Sequence, residues 1–273
     1  MLERILVTRH GFRSNWDTEW LPEMSPTGIP ADPSLSAHGV DQSKELATYL
    51  SSLPYKIDRI YASPFYRCVQ TIDPTAELLS LPIYTDNGIG EWYGLTRATH
   101  PSPAPASVMK GFFPRVVEGY TPSLVPSTTG ESMADVHERC RKALDVLIER
   151  ADAEGLKTIL ICSHAATLIA IGRGLTGKPD LHVNAATCSI SEYIRGEGEE
   201  RVGNWKRVRN GDCSHLSHGE ERNWWFEGDI PVYTNDPAMA EVVLPANASE
   251  VERNADPSAN SSATEKEKDE SKL

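Results

Sequence analysis

Three short runs set the architecture. "RILVT" (4–8), "IDRIYAS" (57–63) and "TILICS" (158–163) are β-branched and nearly continuous in apolar character. A strand with one wet face alternates polar and apolar residues, whereas runs of this kind suit strands covered on both faces. Helical patterns follow them: "LSAHGVDQSKELATYLSSL" (35–53), "RCVQTIDPTAELL" (67–79) and "ATLIAIGRGL" (166–175). The clearest helix is predicted over 132–151, where Met133, Val136, Cys140, Leu144, Leu147 and Ile148 share one stripe at helical spacing. "TTGES" before it offers a capping residue, and Gly155 follows its end. Such alternation predicts an α/β fold, a three-layer α/β/α sandwich around a mostly parallel sheet. "CSISEYI" (188–194) and "NWKRVR" (204–209) are expected as later strands at the sheet's edge.

A chain of 273 residues, 39% of them hydrophobic, can bury one large core. Its last aromatic residue is Tyr233, and 245–273 is polar with few aliphatic residues. That composition cannot offset the entropy lost on ordering. Residues 1–240 are therefore expected to form one domain and 245–273 a disordered tail. Within the domain, Pro101, Pro103, Pro105, Pro114, Pro122 and Pro126 interrupt the alternation. Residues 96–130 are expected to be a surface insertion that caps a site, with Met109, Phe112 and Phe113 as its apolar side.

Charge and cysteine content exclude several functions. A net charge of −12 argues against direct nucleic-acid binding, although one local basic pocket stays compatible with it. Five cysteines with no CxxC pair suggest neither a disulfide framework nor a zinc site. A reducing compartment, cytoplasm or nucleus, is expected. The terminal Ser271, Lys272 and Leu273 read as a peroxisomal address. No run approaches the roughly 18 apolar residues of a membrane span, and no membrane partner is expected.

In parallel α/β sheets, ligands sit beyond the carboxyl ends of the strands. His10 follows one such strand and His164 another, each at its carboxyl end. Arg9 and Arg13 flank His10, Arg67 opens the helix after "IYASP", and "GIGEWYG" places Glu91 between glycines. Planar guanidinium groups match phosphoryl oxygens bidentately and stay charged, so Arg9, Arg13 and Arg67 suit a phosphate clamp. A neutral imidazole is a competent nucleophile for phosphorus, a role that suits His10. His164 suits a donor to the phosphoryl oxygens, and Glu91 a general acid and then base. The arginines supply the positive charge, so no metal or other cofactor is required.

The motifs resemble the histidine phosphatase superfamily, the phosphoglycerate mutase-like fold. "TRHG" (8–11) is similar to its signature and "SHAATL" (163–168) to its second histidine block. "ASPFYRCVQTI" (62–72) and "GESMADVHERC" (130–140) are similar to two more blocks, in the family's order. "RCVQT", "GIGEW" and Arg13 resemble the branch with suppressor-of-T-cell-receptor-signalling and ecdysteroid-phosphate phosphatases. "GDCSHLSHGEERNWWFEG" (211–228) is similar to fungal relatives, among them the phosphatase-like domain of a transcription factor IIIC tau subunit. The resemblance implies a phosphohistidine at His10, with Arg9, Arg67 and His164 completing the pocket and Arg13 and Glu91 carried by the branch. It implies a phosphorylated small molecule or phosphoprotein as substrate. The alternatives are a phosphoglycerate-type mutase and a phosphatase-like subunit of a transcription-factor assembly, which would bring a protein partner or a homodimer. Phe12 stands where many members carry a polar residue, which points away from mutase activity.

Overall fold

The computed structural model describes residues 1–18, 21–95 and 99–226. Strand β1 (Arg4–Arg9) and strand β4 (Thr158–Ser163) lie side by side and parallel, in register from Arg4 with Thr158 to Arg9 with Ser163. Strands β2 (Arg59–Ala62) and β3 (Ile83–Thr85) extend the parallel set on the β4 side. On the other side β5 (Ile190–Arg195) runs antiparallel to β1, and β6 (Trp205–Asp212) antiparallel to β5. The spatial order is β3-β2-β4-β1-β5-β6.

Alternate residues of the strands face two separate cores. Leu6, Ile60, Leu160 and Cys162 pack with α1 (Ala37–Ser51) and α2 (Tyr66–Leu79). Ile5, Val7, Tyr61, Ile159 and Ile161 pack with α4 (Met133–Ala153) and α5 (Ala165–Thr176). The expected three-layer α/β/α sandwich is thus present, with a sheet that is parallel across β1 to β4. Val136, Cys140, Leu144, Leu147 and Ile148 of α4 are fully buried, whereas Met133, the first helical residue, is exposed. Ser132 and Asp135 form a reciprocal capping box ahead of it.

One expectation needs adjustment. Strand β5 is interior, not an edge, and β6 takes the edge. The polar residues of "SISEYI" suggested an edge, yet Ser191 and Glu192 find partners inside the fold. Ser191 accepts from the Gly211 amide, and Glu192 accepts from Arg4, Tyr55 and Arg209. The described part of the proline-rich insertion, with α3 (Ala106–Phe112), runs along the β3 edge. The Ile83 amide donates to the Arg115 carbonyl and the Val117 amide to the Ile83 carbonyl, both at 2.9 Å. Met109 and Phe113 are core residues there, and Phe112 rests against Tyr66. These apolar residues shield a sheet edge. Asp86 at the end of β3 anchors the insertion's return, accepting from the Tyr120 hydroxyl and from the amide and hydroxyl of Ser123.

Phe226 is buried against Trp92 and His137. Among the described residues no helix is long and apolar enough to cross a membrane. The expected tail, the domain's end near residue 240 and the Ser271, Lys272, Leu273 terminus lie outside the described residues.

Candidate active site

Register brings the two histidines together. Because Arg9 pairs with Ser163, His10 and His164 leave neighbouring strands at the same level, and the His10 amide donates to the Ser163 carbonyl at 2.9 Å. The turn after His10 is pressed against the start of α1. A Cβ on Gly39 would lie 2.0 Å from the Phe12 carbonyl oxygen, and one on Gly11 would lie 2.8 Å from the Gly39 oxygen. Only glycine permits that approach at either position.

His10 is buried at 2% exposure, and its Nδ1 donates to the Gly11 carbonyl at 2.8 Å. A carbonyl only accepts, so Nδ1 holds the proton and Nε2 keeps its lone pair. Burial, then the charges of Arg67 and Arg9, hold the imidazolium well below its usual range. The ring is therefore neutral at physiological pH, with its nucleophilic nitrogen assigned.

His164 differs, although its ring centroid lies only 5.4 Å from that of His10. Its Nε2 is 2.7 Å from the Ser63 hydroxyl and its Nδ1 is 3.0 Å from Glu91 Oε2. Burial opposes its charge, but Cys68 and Glu91 outweigh burial and move its pKa upward. Glu91 shows the complementary effect. Burial would raise its carboxyl pKa, yet His164 and Arg67 hold it well below the carboxylate range. Glu91 Oε2 accepts from Arg67 at 2.8 Å as well as from His164, and Oε1 accepts from the Trp92 amide at 3.0 Å.

The arginines are held from behind. Arg67 is 1% exposed and donates to Asp32 Oδ1 and the Ala31 carbonyl, both at 3.3 Å. Burial works against its charge, but Glu91 and Asp32 more than compensate and keep it fully ionised. Arg9 donates to the Ala185 carbonyl at 2.7 Å and to the Arg222 carbonyl. Burial and the neighbouring Arg13 lower its pKa to about 9, which still leaves it charged at neutral pH. Arg13 lies 4.4 Å above the Trp16 ring, and that ring is 6.0 Å from His10. All three guanidinium charges act on His10.

All six residues singled out in the sequence thus converge at one edge of the sheet. The ligand atoms of His10, Glu91 and His164 lie within 4.8 Å of one another, a spacing that metal ligands also show. The surrounding guanidinium groups oppose a divalent cation there and favour an anion.

Sequence reasoning missed Asp32, Ser63 and Trp16. Asp32 is fully buried, and its Oδ2 accepts from the Tyr66 amide at 3.0 Å and the Thr27 hydroxyl at 3.1 Å. One carboxylate therefore satisfies the first amide of α2 and anchors the side chain of the next residue, Arg67. Nothing local in "ADPSLS" signals this. Ser63 carried a signal, since it directly ends a predicted strand.

Strand-end histidines, one held neutral and one with its charge favoured, within a guanidinium cradle on an α/β/α sandwich suit an anion such as a phosphoryl group. The chain belongs to the histidine phosphatase superfamily (branch 1), whose sequence model matches residues 5–208. Among its relatives, the transcription factor tau 55 kDa subunit of Saccharomyces cerevisiae is 36% identical over 83% of this chain. The ecdysteroid-phosphate phosphatase of Drosophila melanogaster is 31% identical over 72% of the chain. The chain spans 59% of the yeast protein and 27% of the fly protein. The fold is shared with ecdysone phosphate phosphatase from Bombix mori, solved with tungstate, at a TM-score of 0.62 and 18% identity. That likeness covers 77% of this chain and 93% of the silkworm chain.

Proposed function

We propose that the protein is a phosphomonoesterase that works through a phosphohistidine on His10 and needs no metal. The observation that carries this reading is the tautomer of His10. Its Nδ1 is committed to the Gly11 carbonyl, so Nε2 presents a lone pair where three guanidinium charges act. In the first step Nε2 attacks phosphorus and the bond from phosphorus to the leaving oxygen breaks. Arg9, Arg13, Arg67 and protonated His164 take the charge on the phosphoryl oxygens. Glu91 delivers a proton to the leaving oxygen. In the second step water attacks the phosphohistidine, Glu91 takes the water's proton, and orthophosphate leaves with Nε2 restored.

The test is hydrolysis of an aryl phosphate with EDTA present. The wild type is expected to turn over and His10→Ala to be inactive. Quenched enzyme is expected to carry an acid-labile, base-stable phosphoryl group on His10; finding it on serine or cysteine would overturn the mechanism. The similarity to the yeast transcription factor subunit favours a second reading, a phosphatase-like fold kept as a docking module in an assembly. Wild-type protein inert between about pH 4 and 8 would favour it.

A further inference from the structure

Arg222 stands at the mouth of this pocket and is not used by the steps above. Its backbone is left-handed, with φ 52°, a conformation that non-glycine residues rarely adopt. Such backbones persist where surroundings over-determine them, and they gather at functional sites. Here the Arg222 carbonyl accepts from the Arg9 guanidinium, so this backbone is tied to the phosphate clamp itself. The side chain turns outward. Its guanidinium carbon lies 5.1 Å from the Phe12 ring centroid and 5.2 Å from that of Trp16. Trp16 is the same ring that covers Arg13 and approaches His10.

Stacked in this way, a guanidinium has its faces fixed by rings while its N–H edges remain available for a planar or tetrahedral anion. No carboxylate among the described residues pairs with it. Its neighbours are engaged elsewhere: Glu221 with His38 and Gln42, Glu220 with Asn223. Nor does the transferred phosphoryl group need it. In that reading Arg9, Arg13, Arg67 and protonated His164 already face the two charges of a bound phosphate dianion, with Asp32 behind Arg67. Arg222 is a further exposed cation, one aromatic ring away from the nucleophile.

We propose that Arg222 recognises a second anionic group, a carboxylate or phosphoryl, on the leaving portion of the substrate, with Trp16 and Phe12 as the platform that aims it. The proposal rests on the phosphomonoesterase reading and adds the substrate class: phosphomonoesters that carry another negative charge. Two aryl esters distinguish the possibilities, phenyl phosphate and meta-carboxyphenyl phosphate. Each is assayed with the full chain, wild type and Arg222→Ala. Comparing enzymes on each ester cancels the intrinsic reactivity of the leaving group. The loss of kcat/KM in Arg222→Ala is expected to be about tenfold larger on the carboxylated ester, the low end for a charge-assisted hydrogen bond at a wet rim. The difference is expected to lie in KM and to shrink as salt is raised. Arg222→Gln, which keeps the stem over the rings, is expected to lose the same discrimination while melting with the wild type. Equal losses on both esters, in either variant, would overturn the role of Arg222 while leaving the phosphomonoesterase reading intact. A wild type inert on both esters would overturn that reading and the proposal together.

Discussion

The pocket's own residues hold Glu91 in the wrong protonation state for a general acid, and this leads to a sharp prediction. Its carboxylate accepts from both Arg67 and His164, which keeps it ionised. The phosphoryl group must take hydrogen bonds from the same two donors. Glu91 and the His10 nucleophile lie within 4.8 Å, so an incoming dianion arrives about that far from the carboxylate. At about 5 Å and an effective dielectric of about 20, a dianion repels a carboxylate by ~7 kcal/mol. That repulsion acts against the ionised form, whose pKa His164 and Arg67 otherwise hold low, so anion binding should protonate Glu91 and thereby arm it. Tungstate is a suitable probe, because it is a tetrahedral dianion that does not titrate near neutral pH. Calorimetry in buffers of different ionisation enthalpy is expected to show uptake of about one proton per tungstate by the wild type. Glu91→Gln is expected to take up none and to bind tungstate at least about tenfold more tightly, since a repelling charge is gone. The same variant is expected to lose about 10²- to 10⁴-fold in kcat. Weaker tungstate binding by Glu91→Gln, or no proton uptake by the wild type, would refute the reasoning.

Gly39→Ala is expected to cost about 3 kcal/mol, a fall in Tm of about 6–12 °C, because the new methyl meets the Phe12 backbone, which cannot yield as a side chain can. Thermal unfolding checks this, and an unchanged Tm would show that α1 need not approach the His10 turn. Asp32→Asn places an amide NH₂ against either the Tyr66 amide or Arg67, two donors facing each other. It is expected to destabilise by about 3 kcal/mol and to raise KM through a loosened Arg67, read from melting and steady-state kinetics. The depressed carboxyl of Glu91 contributes stability above the ordinary carboxylate pKa, and that contribution is lost as pH falls through its folded value. Acid unfolding of Glu91→Gln should accordingly be less steep than that of the wild type. The raised pKa of His164 predicts an alkaline loss of activity above 6.5, whereas His10, held low, predicts no acid limb at 6.5. A pH profile of kcat/KM checks both signs.

The central strands were legible because burial on both faces leaves a continuous apolar run, which local sequence displays directly. Strand β3 was harder to read: three residues, "IYT", carry too little pattern, and the edge they form is covered by Val116 of the distant insertion. The interior place of β5 was hidden for a related reason. Its Glu192 looks like a solvent-facing residue until Arg4, Tyr55 and Arg209 converge on it, and these lie 188, 137 and 17 positions away.

The same distinction governs the site. Strand-end histidines and arginines can be read locally, because topology alone carries every strand end of a parallel set to one edge. Which carboxylate keeps which arginine charged cannot be read that way. Arg67 is almost wholly buried, and a guanidinium in that position keeps its charge only if anions lie against it. Burial therefore demands acids in the pocket, and Asp32 and Glu91 supply them from loops 35 and 24 residues away. The two are not equivalent. Asp32 is fully enclosed and also caps α2, so it has no room to exchange partners, whereas Glu91 is 17% exposed and is held by Arg67 and His164, the donors that the proposed mechanism gives to the phosphoryl group. A buried cation thus requires one fixed acid for structure and permits one exchangeable acid for chemistry, and the exchangeable one is placed to receive the proton when substrate takes over its partners.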